Sequence, residues 1–338
     1  MRVWELRDGF APEHLRLGER PEPVPGAGQV VVAMRAASLN YRDSLVIRGR
    51  YGPRVALPLI PVSDGAGEVV AVGPSVRRVK PGDRVAPLFF QRWQGGRPDQ
   101  DKMFDSLGGP VDGVLTEQMC LSEDGVAVIP PHLDWAEAAT LPCAGLTAWT
   151  AIVTDGRVGP GDTVLVQGTG GVALFALQFA KLAGARVIVT SSSDAKLERV
   201  RALGADETIN YRQTPAWDRV VKEMTGGAGC DHIVELGGAE TLERSVRAIR
   251  IGGTLSLIGV LSGAAASLAL PLVVMRQVRM QGITVGARDG FEAMAGAIGQ
   301  HGLRPVVDRV FSFDDVPAAF ATFDQGAHFG KICIRQGT

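Results

Sequence analysis

A glycine-rich turn, Gly168-Thr169-Gly170-Gly171-Val172-Ala173, limits the possible folds of this chain more than any other feature. Val164-Leu165-Val166 runs into it as an apolar strand, and Val172, Phe175, Ala176, Phe179 and Ala183 then recur at helical spacing as one apolar stripe. A turn without side chains lets phosphate oxygens reach backbone N–H groups at the positive end of a helix dipole. Strand, glycine turn and helix in this order predict a βαβ unit that binds the pyrophosphate of a dinucleotide. The expected contacts are Gly168, Thr169, Gly170, Gly171 and Val172. The alternation continues around the turn, with strands expected at Thr163–Gln167, Arg186–Thr190, Glu207–Asn210, His232–Leu236, Thr254–Ile258 and Met280–Val285 and helices between them. Such alternation predicts a parallel α/β sheet.

The end of the second strand decides which dinucleotide fits. A chain that prefers NAD places an acidic side chain there to hold the ribose 2'-OH. Here the strand runs into Thr190-Ser191-Ser192-Ser193, whose hydroxyls can hydrogen-bond a 2'-phosphate without repelling it. Lys196 and Arg199 follow, as phosphate ligands or as an ordinary solvated helix face. NADP(H) is therefore the expected cofactor, with Ser191, Ser192 and Lys196 at its 2'-phosphate.

A chain of 338 residues has room for two domains of roughly 150 residues each. Up to about residue 130 it reads as short strands broken by turns, at Pro21–Gly26, Gln29–Ala37, Gly65–Gly73 and Pro81-Gly82-Asp83. From about Asp134 the period becomes helical, over Ala136–Leu141 and Thr147–Thr154. Near the end, strand-like Pro305–Phe313 and Lys331–Ile334 flank a helix at Pro317–Phe323 and are expected to rejoin the first domain.

A net charge of -1 provides no basic surface for nucleic acid or anionic lipid, so a small-molecule substrate is the expected partner. Cys120, Cys143, Cys230 and Cys333 show neither CxxC spacing nor a disulfide framework, and the charged start Met-Arg-Val-Trp-Glu-Leu-Arg-Asp does not read as a signal peptide; a reducing, cytoplasmic setting is expected. Ile251 to Met275 carries no charge, but Gly252, Gly253, Gly259, Gly263 and Pro271 interrupt it, so a strand and loops are expected rather than a membrane span.

Several further segments carry a family resemblance: Ala36-Ala-Ser-Leu-Asn-Tyr-Arg-Asp43, Asp64-Gly-Ala-Gly-Glu-Val-Val-Ala-Val-Gly73, Pro81-Gly-Asp-Arg-Val85, Leu141-Pro-Cys-Ala-Gly-Leu-Thr-Ala-Trp149, Asn210-Tyr-Arg212 and His328-Phe-Gly-Lys331. With the glycine turn, they make the chain resemble the medium-chain dehydrogenase/reductase superfamily, and within it the zinc-free, quinone-oxidoreductase-like branch. The resemblance implies a Rossmann doubly wound parallel sheet, here at 131–286, and a GroES-like, mostly β catalytic domain formed by 1–130 and 287–338. It also implies an active-site cleft at the domain junction, and a homodimer formed through the last Rossmann strand within Val278–Ala287. Thr147, Tyr211, Gly259, Val260 and Leu261 resemble further cofactor-binding positions, and Ser38 one near the nicotinamide.

Zinc-dependent members of the superfamily hold a catalytic metal at three positions, occupied here by Asn40, Ser63 and Cys143. An amide and a hydroxyl replace thiolate and imidazole poorly, and Pro87 to Met119 lacks the cysteines of a structural zinc lobe. The expectation is no metal. His14, His132, His232, His301 and His328 are scattered, and Cys143 reads as a small buried apolar residue.

Oxidising a simple alcohol calls for a group that lowers its hydroxyl pKa, usually a metal. Reducing an activated C=C or a quinone needs only hydrogen-bond donors at the oxygen that gains charge, and a proton source. Asn40, Tyr41, Arg42 and Tyr51 are the candidates, Tyr51 resembling a tyrosine that zinc-free enoyl reductases place over the substrate; Asp43 reads as a structural partner of Arg42. Two other readings stay open: a zinc-free alcohol or aldehyde dehydrogenase, and a non-catalytic NADPH-binding protein.

Overall fold

The computed structural model describes residues 1–52 and 55–337. In chain order the elements are β1 (Arg2–Leu6), β2 (Leu15–Glu19), β3 (Gln29–Ser38), α1 (Tyr41–Ile47), β4 (Asp64–Val72), β5 (Arg84–Pro87), β6 (Gln118–Ser122), β7 (Val126–Val128), α2 (Trp135–Ala139) and α3 (Leu146–Trp149). Next come β8 (Thr163–Gln167), α4 (Gly171–Leu182), β9 (Arg186–Ser191), α5 (Asp194–Ala202), β10 (Glu207–Asn210), α6 (Trp217–Met224), β11 (Cys230–Glu235), α7 (Leu242–Ala248), β12 (Ile249–Leu257), α8 (Leu270–Arg276) and β13 (Arg279–Gly282). The chain closes with α9 (Arg288–His301), β14 (Val307–Ser312), α10 (Val316–Asp324) and β15 (Lys331–Arg335).

Two compact units divide these elements: Met1–Leu146 with Val285–Thr338, and Thr147–Thr284. In the first, a seven-stranded sheet runs β14-β15-β3-β4-β5-β7, with β6 also on β3, and β1 pairs with β2. Its core includes Val32, Met34, Val69, Leu115, Phe320 and Ile332. The register positions the chemistry. Cys333 faces Ser38, and Ser38 faces Asp64, so the start of β15, the end of β3 and the start of β4 lie side by side. Both pairings are antiparallel, which carries Lys331 toward Asn40 and Ser63 toward Leu39.

The second unit is a parallel sheet in the order β10-β9-β8-β11-β12-β13, every pair parallel. Strands leave β8 in both directions, and dinucleotides bind outside the carboxyl ends of such a sheet at this reversal point. Leu165, Ile188, Ile233, Leu255, Val221 and Val246 fill its core, from the near-continuous apolar strands that a sheet covered on both faces requires.

The division falls later than the sequence suggests. Residues 131–146 belong to the first unit because α2 packs on β3, β4 and β15, Arg304 pairs with Glu137, and the Cys333 thiol donates to the Ala136 carbonyl. Strand limits move too. β12 begins at Ile249, ahead of the expected Thr254, because a shift in its register with β11, between Cys230 and His232, accommodates Arg250 to Gly253. β13 ends at Gly282, short of the expected Val285. Among the described residues no helix is long and apolar enough to cross a membrane, and Ile251 to Met275 divides between β12, a loop and α8.

Candidate active site

In the second unit β8 ends at Gln167, and Gly168 follows at φ +80°, a conformation that favours glycine. Gly170 caps α4, and a Cβ added at either glycine would meet nothing within 4 Å. The turn into this helix therefore leaves open space beside its side-chain-free glycines, and a helix N-terminus with such a turn is suited to a pyrophosphate. Thr169 is buried, and Gly171 and Val172 begin the helix half-buried.

At the end of β9, Ser191 is buried and its hydroxyl accepts from the Ser193 N–H at 3.4 Å; Ser192 is half-buried. Lys196 lies half-buried on the first turn of α5, and Arg199 is exposed a turn later. Tyr211 is exposed just beyond β10, and its N–H donates to the Ser191 carbonyl at 3.1 Å. The next carboxylate along the chain, Asp194, accepts from Asn210 Nδ2 and Gln213 Nε2, both at 2.8 Å. The β9 end thus presents hydroxyls, with that carboxylate already engaged. Thr147 is buried, and its hydroxyl donates to the Thr284 carbonyl at 3.3 Å. Beyond β12, Gly259 presses on the Leu236 carbonyl, where a Cβ would lie 2.0 Å away, and Val260 and Leu261 are exposed.

One group here went unnoticed in the sequence. The buried Glu235 carboxylate accepts from Gln167 Nε2 at 2.7 Å, from Gly237 N and Gly238 N at 3.0 Å, and from the Thr241 and Ser245 hydroxyls. Gln167 Oε1 in turn accepts from Leu236 N and Gly237 N at 3.1 Å. This ties the end of β8 to the loop after β11 across the strand reversal. The only sequence signal is a polar residue closing each of two apolar strands.

In the first unit the strand ends bring Asn40, Ser63, Asp64, Cys143 and Lys331 together. Asn40 caps α1, its N–H donating to Asp43 Oδ2 at 2.8 Å. Its amide oxygen accepts from the buried Lys331 ammonium at 2.5 Å, and the same ammonium donates to the Leu39 carbonyl. Asn40 Nδ2 faces Ser63 Oγ at 3.4 Å, Ser63 Oγ donates to Asp64 Oδ1 at 2.8 Å, and Asp64 Oδ2 accepts from the Cys143 N–H at 3.0 Å. Burial pushes the Asp64 carboxyl up to about 6, against the pull of Lys331. Burial likewise raises Asp43, opposed by Arg42.

The other candidates occupy different roles. Arg42, expected to donate to substrate, instead donates to the Leu107 and Gly109 carbonyls at 2.7 and 2.8 Å and contacts Asp43 at 3.3 Å. Its guanidinium lies 4.3 Å from the centre of the half-buried Tyr51 ring, so Arg42 packs against Tyr51. Tyr41 is exposed on the first turn of α1. Cys143 is half-buried as a residue, and burial of its thiol, with Asp64 beside it, pushes that thiol up.

This cluster does not fit zinc. Its three metal-ligand positions offer an amide, a hydroxyl and a thiol disfavoured in the thiolate form that binds metal, with an ammonium bonded among them. Among the described residues, no group of three or more His, Cys, Asp or Glu side chains is placed to hold a metal ion. The sequence points to Asn40; Lys331, 291 residues away, is visible there only as part of a family motif.

Comparison with known proteins sets these two sites in a family. Residues 26–131 match the alcohol dehydrogenase GroES-like domain and residues 171–299 the zinc-binding dehydrogenase family. A zinc-type alcohol dehydrogenase-like protein of Schizosaccharomyces pombe is 39% identical, over 97% of this chain and 95% of its own. The crystal structure of an NAD-dependent alcohol dehydrogenase covers all of both chains at 34% identity and a TM-score of 0.91. That of the 2-octenoyl-CoA carboxylase reductase CinF, in complex with NADP and 2-octenoyl-CoA, is 25% identical over 99% of this chain and 87% of its own, with a TM-score of 0.88. With a Rossmann sheet in one unit and a GroES-like sheet in the other, the chain belongs to the medium-chain dehydrogenase/reductase superfamily of oxidoreductases.

Proposed function

We propose that this protein is an NADPH-dependent, metal-independent reductase of activated C=C or quinone substrates. The observation that carries the reading is the Lys331–Asn40 pair standing among the superfamily's metal-ligand positions. Gly168 to Val172 and the N-terminus of α4 hold the pyrophosphate, the hydroxyls of Ser191 and Ser192 with Lys196 meet the 2'-phosphate, and Tyr211 and the loop Gly259–Leu261 border the dinucleotide. When bound, the reduced nicotinamide supplies the hydride. Asn40 Nδ2 donates to the substrate oxygen on which negative charge collects, the stabilisation that a metal would otherwise give. Tyr51, its ring supported by Arg42, is the phenol placed to donate a proton. CinF, bound to NADP and an enoyl thioester, supports this class of substrate.

The homodimer belongs to the same proposal. β13 is the edge of its sheet, and Leu270, Val274 and Met275 on the neighbouring α8 are 71%, 69% and 76% exposed, the apolar surface and unpaired edge that a second copy would cover. The test of the activity is steady-state oxidation of NADPH and NADH with quinones, 2-enones and enoyl thioesters, beside NADP reduction by alcohols. NADPH-dependent turnover of an enone or quinone supports the reading; turnover of alcohols alone, or tight NADPH binding without any turnover, contradicts it.

A further inference from the structure

We propose that Lys331 is a positioning residue for the reaction: it locks the Asn40 amide so that Nδ2 points into the place where Asn40, Ser63 and Cys143 converge. This rests on the reductase reading above. An ammonium has hydrogens to give and no lone pair to receive, so whatever it bonds on Asn40 must be Oδ1. The opposite end of the amide faces Ser63, whose hydroxyl is already directed at the Asp64 carboxylate and so offers Nδ2 a lone pair. The amide dipole lies between a cation and an anion, oxygen toward Lys331 and nitrogen toward Asp64. Turning it over would set NH2 against the ammonium and oxygen against the carboxylate side.

Lys331 is itself held. It is 4% exposed, begins β15, and is fixed by the Leu39 carbonyl as well as by Asn40. The Asn40 backbone is fixed by the Asp43 carboxylate. Asn40 Nδ2 is held by the Asp64 carboxylate and by a long, 3.4 Å contact with Ser63 Oγ, and the hydrogen on the Ser63 side is the one free to turn to a better acceptor, such as a carbonyl oxygen gaining charge. A charged donor on Oδ1 also polarises the amide and strengthens its N–H as a donor. Lys331 acts through Asn40 and does not itself touch substrate.

The test is kinetic and spectroscopic. Lys331→Met removes the charge and the bond; Lys331→Gln keeps a donor without the charge and serves where the first variant folds poorly. Lys331→Met is expected to lower kcat on the order of 30-fold, the size of a lost charge-assisted hydrogen bond, and Lys331→Gln by a smaller factor, each with KM for NADPH within about twofold. Added to Asn40→Ala, neither is expected to lower kcat further. In wild-type protein the Asn40 side-chain ¹H–¹⁵N pair, assigned by its loss in Asn40→Ala, is expected to be slow to exchange with water; in Lys331→Met it is expected to shift and exchange faster. Unchanged amide signals in Lys331→Met, or kcat losses that multiply with those of Asn40→Ala, overturn the proposal. If wild-type protein reduces no enone or quinone, the functional reading fails by itself, and the amide signals alone decide the role of Lys331.

Discussion

Ser191 closes β9 with a hydroxyl where an NAD-binding chain places a carboxylate, and Asp194 is turned to Asn210 and Gln213 instead. Ser191→Asp is therefore expected to shift the ratio of kcat/KM for NADPH over NADH toward NADH by at least about tenfold, through charge repulsion of the 2'-phosphate and a new bond to the 2'-OH. An unchanged ratio contradicts the account of the 2'-phosphate site. A second residue, His232, carries a stability effect. It is 2% exposed on β11, its ring 3.0 Å from the Ser256 hydroxyl, and burial lowers it to about 4. Above about pH 6.5 it is neutral folded and unfolded and makes no difference. Between about 6.5 and 4 only the unfolded chain takes up its proton, so stability falls with pH, by about 3 kcal/mol in all. A denaturation midpoint that drops less between pH 7 and 4.5 in His232→Gln than in the wild type would show this. Asn40 and Tyr51 could be proposed from the sequence because Asn40 lies in a family motif and Tyr51, a short way along the chain, resembles a family position. Lys331 was not, because its charge acquires meaning only when β15 is laid antiparallel against β3.

Elements built from local pattern were the easiest to foresee. β8 and β10 match their expected limits because apolar strands end in clear breaks, and the glycine turn and the stripe on α4 mark the next element. β12 was harder: Gly252 and Gly253 carry a turn's chemistry, yet the sheet accommodates them through a register shift against β11. The turn from β8 to α4 also gives the clearest test of the dinucleotide cradle. Gly170 has open space where its Cβ would be, so Gly170→Ala meets no protein atom. It is expected to change Tm by less than about 4 °C, the effect of a weak cap change, while weakening NADPH binding at least tenfold, the pyrophosphate being crowded. Equal binding in the variant and the wild type, measured by nucleotide fluorescence, contradicts the cradle.

For the whole molecule, length and alternation anticipated two units, and each has its own core. The point of division was less visible, because α2 reads as the first helix of an alternating series but packs on the β-rich sheet. Association belongs to this scale as well. The proposed dimer predicts that Val274→Asp, on the exposed face of α8, shifts sedimenting mass from two chains toward one, whereas unchanged mass places the interface elsewhere. Chemistry without a metal is the central claim, and it rests on an ammonium, an amide and a hydroxyl in place of zinc ligands. The direct measurement is turnover of NADPH with an enone or quinone by protein stripped with a chelator and checked for zinc by elemental analysis, then reloaded. The expected result is full activity without zinc and no gain when it is added; activity that disappears with the metal and returns in proportion to one bound zinc per chain would contradict it.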